Sequence, residues 1–446
     1  MQKKWTGWAA LMLTTAMVLS ACGGSSGNNS GNASSSPSGS SSPSSSEGAS
    51  ASPSAPAENV ELTLAGWTSS PEEQSLLQQV LDEFQAKNPT IKVKYEVIAD
   101  QYMDVIKTRL IGGEAPDVFY LDAFEAPGLI EKGVLEPLDG YVSDDFDLAD
   151  FETPMVEAFK GKDGKTYGFP KDTSTLALFY NKKMFADAGI ANPPATWEEL
   201  QAAAEKLTKK DGSKVSVYGL GQAPELARQM FMIQAFGGKL TDDQGMAAFA
   251  TPEGLKGLQL VIDQHLKAKT AGQPSDVGAG WGGEMFGQQK AAMVIEGNWA
   301  IPYLQTNFKD LDFGTAEVPT VNGKKGTMAY TVGYVMNKES KKKDAAWKLI
   351  SYLTGKEGMK TWTSKGFALP TRKSVAAELG YDKDPLRGAL VAGGSYSTTW
   401  QAGATLPTIM NNFNNQFVAA YTGQSTLEEA MKLAQETANS EIKAGQ

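Results

Sequence analysis

Four tryptophans stand where an indole face can meet a ligand. Trp67 ends an alternating run, Val60-Glu-Leu-Thr-Leu64, and Trp281 sits among glycines in G-A-G-W-G-G. Trp299 follows Gly297-Asn298, and Trp400 lies in a Ser/Thr-rich stretch. The remaining tryptophans read differently. Trp5 and Trp8 belong to an apolar leader, Trp197 follows a helix cap, and Trp347 and Trp362 fall in helical patterns with Leu349, Ile350 and Leu353. A ring at a loop tip or strand end is either half-buried packing or a platform for a ligand. Sugars favour the platform, because their C–H faces are apolar while their hydroxyls demand hydrogen bonds that Asp, Asn and Arg supply. Residue type alone leaves packing and ligand contact equally open at each of the four.

Among the polar residues, Asp122 closes the short apolar run A-P-D-V-F-Y-L-D. Open α/β sheets bind ligands at the carboxyl ends of their strands, although a helix N-cap is an equally good use of an aspartate there. Enzymatic constellations are scarce. His265 is the single histidine and sits in a helical pattern, L-Q-L-V-I-D-Q-H-L, with no G-x-S-x-G elbow in the chain. An H-E-x-x-H zinc site is impossible with one histidine. Gly278-Ala-Gly-Trp-Gly-Gly283 formally fits a dinucleotide fingerprint, but a tryptophan fills the phosphate turn and no strand precedes it. Asp144-Asp145-Phe146-Asp147 lacks the glycine and glutamate of a calcium loop. These patterns predict no catalytic residue, no metal site and no cofactor. A glycosidase needs only two carboxylates, and that alternative stays open.

The chemistry must be delivered somewhere, and Cys22 says where. It is the one cysteine in 446 residues. Lys3 and Lys4, the apolar stretch 8–19 and the small residues Ser20-Ala21 precede it, the layout of a secretory leader that is too short to span a bilayer. L-S-A-C resembles the lipobox of bacterial lipoproteins, which implies cleavage after residue 21 and acylation of Cys22. Residues 23–57 hold no aromatic, Leu, Ile, Val or Met, and one charge, Glu47. Such a segment cannot bury enough surface to order itself, and as a coil it would reach about 30–35 Å. The expected division is a leader over 1–21, a lipidated cysteine and linker over 22–57, and a body over 58–446, on the outer face of the cell membrane. A net charge of −10 argues against nucleic acid as a partner.

The body is long enough for two lobes, and its elements alternate. Val60–Leu64 is a predicted strand. S-P-E-E at 70–73 opens a helix with Leu76, Leu77, Val80, Leu81 and Phe84 on one face. Ile91–Ile98 alternates as a second strand, a helix follows near 101–111, and 115–122 makes a third strand. That order is the signature of a parallel sheet covered by helices. G-K-D-G-K-T-Y-G-F-P at 161–170 reads as a hairpin turning at Asp163-Gly164, and 176–181 as a buried strand. A second set of strands and helices follows residue 200.

The stretch A-L-F-Y-N-K-K-M-F-A-D at 177–187 resembles the signature of family 1 of the extracellular solute-binding proteins. So do G-K-T-Y-G-F-P, A-A-M-V-I-E-G-N-W at 291–299, G-F-A-L-P-T-R-K-S at 366–374 and G-Q-S-T-L-E-E-A at 423–430, in the family's order. Lys171 departs from the pattern, which usually has an apolar residue there. The resemblance implies a periplasmic-binding-protein-like α/β fold. Its two lobes, about 58–167 with 317–370 and 168–316 with 371–446, would be joined by three hinge crossings near 167–171, 313–319 and 367–371. It implies a carbohydrate, an oligosaccharide above all, held in the cleft and handed to a membrane permease driven by a separate ATPase. A monomer is the family's default. The same resemblance raises Trp299 most, Trp67 and Trp281 next and Trp400 less, and brings Asp122, Asp172, Asn298, Tyr334 and Arg372 near the cleft. A core tyrosine and a surface ion pair remain the competing uses of Tyr334 and Arg372. A non-sugar solute, or a surface glycosidase, remains the alternative function.

Overall fold

The computed structural model describes residues 59–68, 70–212 and 214–445. The leader, Cys22 and the linker lie outside the described residues.

The strands in chain order are β1 (Val60–Gly66), β2 (Ile91–Val97), β3 (Val118–Asp122), β4 (Gly168–Asn181), β5 (Lys209–Asp211), β6 (Lys214–Gly221), β7 (Ala271–Gly272), β8 (Ala291–Gly297), β9 (Phe313–Ala316), β10 (Thr327–Met336) and β11 (Ser397–Thr399). In the first lobe β2, β1 and β3 run parallel, and β10 closes on β3 antiparallel. In the second lobe β4 pairs with β8 and β9 antiparallel, and β8 runs parallel with β6.

Helices cover both faces of each sheet for the reason the sequence suggests. Ser70 accepts the Glu73 backbone N–H at 3.2 Å, and Pro71 fills the first turn of the helix Pro71–Lys87. Its apolar stripe, Leu76, Leu77, Val80, Leu81 and Phe84, packs with Leu349, Ile350 and Leu353 of a second helix over β1 and β3. Each such side chain taken out of water contributes roughly 1.5–3 kcal/mol. Phe119, Leu121 and Val335 line the opposite face of that sheet with Ile106 and Leu129. The second lobe builds its main core from the helices Trp197–Leu207, Leu226–Ala235, Pro252–Leu266, Leu406–Tyr421 and Leu427–Gly445.

Two long strands tie the lobes together. β4 contributes Phe169 to the first core and Leu176 and Leu178 to the second. β10 does the reverse, with Met328 in the second core and Tyr334 and Met336 in the first. Val318 and Val321 also lie in the second core, so the chain passes between lobes within β10, downstream of the expected 313–319. The third connection is shared. Phe367, Val375 and Leu379 pack with the first lobe, Leu369 and Tyr381 with the second. Leu369 exchanges backbone hydrogen bonds with Thr173 of β4. The helix Lys373–Leu379 therefore belongs with the first lobe and 317–326 with the second, each opposite to the expected division.

β4 carries one irregularity. Pro170 pairs with Gly333 and Asp172 with Val332, so Lys171 is an extra residue without a partner on β10. Proline inside a sheet is tolerated at such a bulge, and the bulge re-aims the side chains beside it. Gly333 is required because a Cβ there would sit 2.7 Å from the Phe159 ring.

Candidate functional site

A cavity of about 280 Å³ opens between the lobes. Ser70 and Glu72, at the start of the first helix, and Phe367 form one wall; Trp281, Trp299 and Tyr303 form the other. Trp281 packs against Tyr303 with ring centroids 4.8 Å apart, and Trp299 meets Tyr330 edge-on at 5.9 Å. The glycines beside these tryptophans have a steric task. A Cβ on Gly283 would fall on the Trp281 ring, and one on Gly297 on the Trp299 ring. Each indole thus closes on the backbone two residues away, where only a glycine leaves it room.

Behind Trp299 is a buried charge network. Its indole N–H donates to Glu296 at 3.3 Å, and Glu296, 1% exposed, pairs with Arg228 at 2.9 Å. Arg228 also pairs with Glu225 at 3.0 Å. Burial opposes the guanidinium charge, but Glu296, Tyr330 and Glu225 outweigh it and raise the pKa above its ordinary value.

The floor of the first lobe holds a second polar cluster. Val332 of β10 is flanked by Asp122 on β3 and Asp172 on β4, so the two carboxylates share one face of the sheet, two strand spacings or about 10 Å apart at the backbone. The bulge sends Lys171 to the same face. Its ammonium pairs with Asp172 and lies 3.9 Å from the centroid of the Trp362 ring and 4.9 Å from that of Tyr120. The Trp362 indole N–H donates to Asp172 at 2.7 Å. Asp122 has no such partner. Burial first, then the neighbouring Asp172 and Glu125, push its pKa up to about 7, with Lys171 pulling it partly back. Trp67 stands next to this cluster, its ring 4.8 Å from Tyr102 and 5.3 Å from Tyr120. On another side of the lobe junction, the Gln401 amide donates to the carbonyls of Ala123 at 2.9 Å and Ala158 at 2.6 Å.

Residues 67–360 match the profile of the bacterial extracellular solute-binding proteins. The chain belongs to that family. A binding protein from Brucella abortus (strain 2308) is 30% identical over 334 residues, which span 72% of this chain and 78% of that one. A maltotriose-binding protein of Pyrococcus abyssi is 27% identical over 297 residues, 64% of this chain and 60% of the other. An ABC substrate-binding protein of Listeria monocytogenes, solved in complex with cycloalternan, superposes with a TM-score of 0.79 at 26% identity, covering 86% of this chain and all of that one. The fold is that of two-lobed binding proteins.

For this solute-binding protein the structure sorts the residues singled out in the sequence. Trp281 and Trp299 share the cavity, and Asp122 and Asp172 share the floor beside Trp67. Asp122 is not a helix cap, since the next helix, Ala126–Glu131, starts after Glu125. Asn298, next to Trp299 in the chain, is fully buried, with neither amide atom hydrogen-bonded to the protein. Three residues are elsewhere. Tyr334 is 1% exposed in the first core, edge-on to Tyr120, because it pairs with Tyr120 and Phe169 in an inward-facing row. Trp400 is 4% exposed in the second core, its backbone N–H donating to Ala329. Arg372 is 1% exposed and braces the first lobe. Its guanidinium donates to the carbonyls of Thr354 (2.6 Å), Phe146 (2.8 Å) and Asp147 (3.1 Å) and lies over the Phe151 ring. His265 stacks on Tyr421 at 4.0 Å, with its Nδ1 2.9 Å from the Ala271 carbonyl oxygen.

Sequence reasoning missed Lys171 as a floor residue, Arg228 and Glu296 as the support of Trp299, and Tyr303 and Phe367 as cavity walls. Lys171 alone left a signal, a cation where the family pattern is apolar.

Proposed function

We propose that this protein is the substrate-binding component of an ABC import system, tethered through a lipidated Cys22 to the outer face of the cell membrane. It captures an oligosaccharide between its lobes and presents it to a permease energised by a separate ATPase. The observation that supports the sugar reading is the pair of indoles, Trp281 and Trp299, set across one cavity from the Glu72 carboxylate and the Ser70 hydroxyl. Stacking faces and hydrogen-bond acceptors together are what a pyranose requires. The oligosaccharides named for the Pyrococcus and Listeria proteins support the same class.

A ligand that touches both walls favours the closed arrangement, and β4 and β10 are the continuous elements about which the lobes turn. Moving closure from about 1% to about 99% needs roughly 5.5 kcal/mol of preferential binding. Nothing in this scheme alters the ligand's covalent bonds. Titration of the purified protein with a panel of oligosaccharides, followed by tryptophan fluorescence and calorimetry, tests it. Saturable, stoichiometric binding without release of reducing sugar is expected. Silence toward every sugar, or catalytic turnover, would overturn it.

A further inference from the structure

We propose that Glu296 is the positioning residue of this cavity, one buried carboxylate that fixes both indoles, and that Arg228 holds it for that purpose rather than to stabilise the fold. This rests on the reading of the Trp281–Trp299 cavity as the ligand site and deepens it.

Glu296 stands one residue before the end of β8, paired with Ala177 of β4, and is 1% exposed. Its two oxygens face different segments. Oε2 accepts the Trp299 indole N–H at 3.3 Å and an Arg228 N–H at 2.9 Å. Oε1 lies against Gly282, the residue after Trp281, where an added Cβ would fall on it. One side chain therefore meets the chain at both cavity tryptophans.

The helix Leu226–Ala235 supplies the rest of the mount. Arg228 reaches Glu296 from its first turn. The Ala227 carbonyl, one residue earlier, accepts the Tyr330 hydroxyl at 2.7 Å, and the Tyr330 ring meets that of Trp299. The Leu226 backbone N–H donates to the Asn414 side chain at 2.7 Å, which fixes the start of the helix. Trp299 is thus held at its N–H and against its ring by groups that share one helical turn.

Stability is a poor reason to keep such a pair. A buried ion pair is often replaced by apolar residues of similar volume at no loss, because desolvation offsets its attraction. Here the Arg228 Nε is also buried without an acceptor among the described residues, which costs further. What the pair provides is orientation. An indole N–H bonded to a clamped acceptor cannot turn in its plane, and a binding surface needs side chains locked by their neighbours.

The test is the double variant Arg228→Met/Glu296→Leu of the full chain, with Glu296→Gln beside it. Thermal unfolding, calorimetric affinity for maltotriose, mannotriose and cellotriose, and fluorine NMR of 5-fluorotryptophan-labelled protein are read together, with Trp→Phe substitutions assigning each signal. The double variant should melt no lower than the parent yet bind the best trisaccharide at least tenfold more weakly. Its Trp281 and Trp299 signals should shift or broaden while those of Trp67 and Trp347 stay in place. Glu296→Gln still offers an acceptor and should bind within threefold of the parent. Gly282→Ala displaces the carboxylate and should move the Trp299 signal as well as that of Trp281. Unmoved indole signals, unchanged affinity in the double variant, or an affinity loss matched by a lower melting temperature overturns the inference while the glycan reading stands. If no sugar binds the parent, the glycan reading fails, and the fluorine signals and melting temperature alone decide the role of Glu296.

Discussion

Replacing Arg372 separates a brace from a ligand contact. Its guanidinium satisfies the buried carbonyls of Phe146 and Thr354 and the partly buried one of Asp147, and sits 3.4 Å from Asp150. Burial lowers its pKa, with Asp150 acting in the other direction, so the site is already costly to charge and depends on those hydrogen bonds. In Arg372→Met each orphaned carbonyl costs about 1–3 kcal/mol. The sum, roughly 3–6 kcal/mol after partial relaxation, is a large share of the 5–15 kcal/mol that usually holds a domain together. Arg372→Lys keeps a charge but loses the planar fork and should fall about halfway. Urea denaturation followed by fluorescence and circular dichroism reads the loss as a lower midpoint for the first lobe. Calorimetry at low temperature, where the variants are folded, reads ligand affinity, which should stay within about twofold. An unchanged midpoint with affinity reduced tenfold or more would refute the reasoning and return Arg372 to the cleft.

Other substitutions probe the site itself. Trp299→Ala should weaken the best ligand by at least about tenfold, roughly 1.4 kcal/mol, without loss of folding; unchanged affinity in calorimetry would remove it from the site. Gly283→Ala and Gly297→Ala should weaken binding too, since the added methyl lifts the Trp281 or Trp299 indole off its seat, and fluorescence emission should shift with it. Lys171→Met should leave Asp172 buried without its cation and lower thermal stability at pH 7, with part of the loss recovered in Lys171→Met/Asp172→Asn. The raised pKa of Asp122 means that the folded state holds a proton that the unfolded chain releases near 3.8. Its contribution to stability is present below that value and lost as pH rises through about 7. Unfolding midpoints from pH 5 to 8 should therefore decline less steeply in Asp122→Asn than in the parent.

The local elements were legible because their signals are local. Ser70-Pro71 and the stripe Leu76 to Phe84 define the first helix from cap and periodicity alone, and the Asp163-Gly164 turn follows from the left-handed backbone at Gly164. The length of β4 was not. Pro170 reads as the end of a hairpin, and only pairing with a strand some 160 residues away shows that the chain continues through a bulge at Lys171 to Asn181. The same long-range pairing decides the fate of Tyr334, whose neighbours Tyr120 and Phe169 are remote in sequence. Arg372 misled for a related reason. Its partners are backbone carbonyls, which leave no mark on side-chain identity. The glycines around Trp281 and Trp299 were visible as a composition, but their role as ring seats needed coordinates.

The most direct test of the central claim is the structure of the protein with a bound oligosaccharide. The account predicts sugar rings stacked on Trp281 and Trp299 and a polar group within hydrogen-bond reach of Asp122, so that one ligand touches both lobes. A sugar seated on one lobe alone, or on a surface remote from those residues, would contradict it.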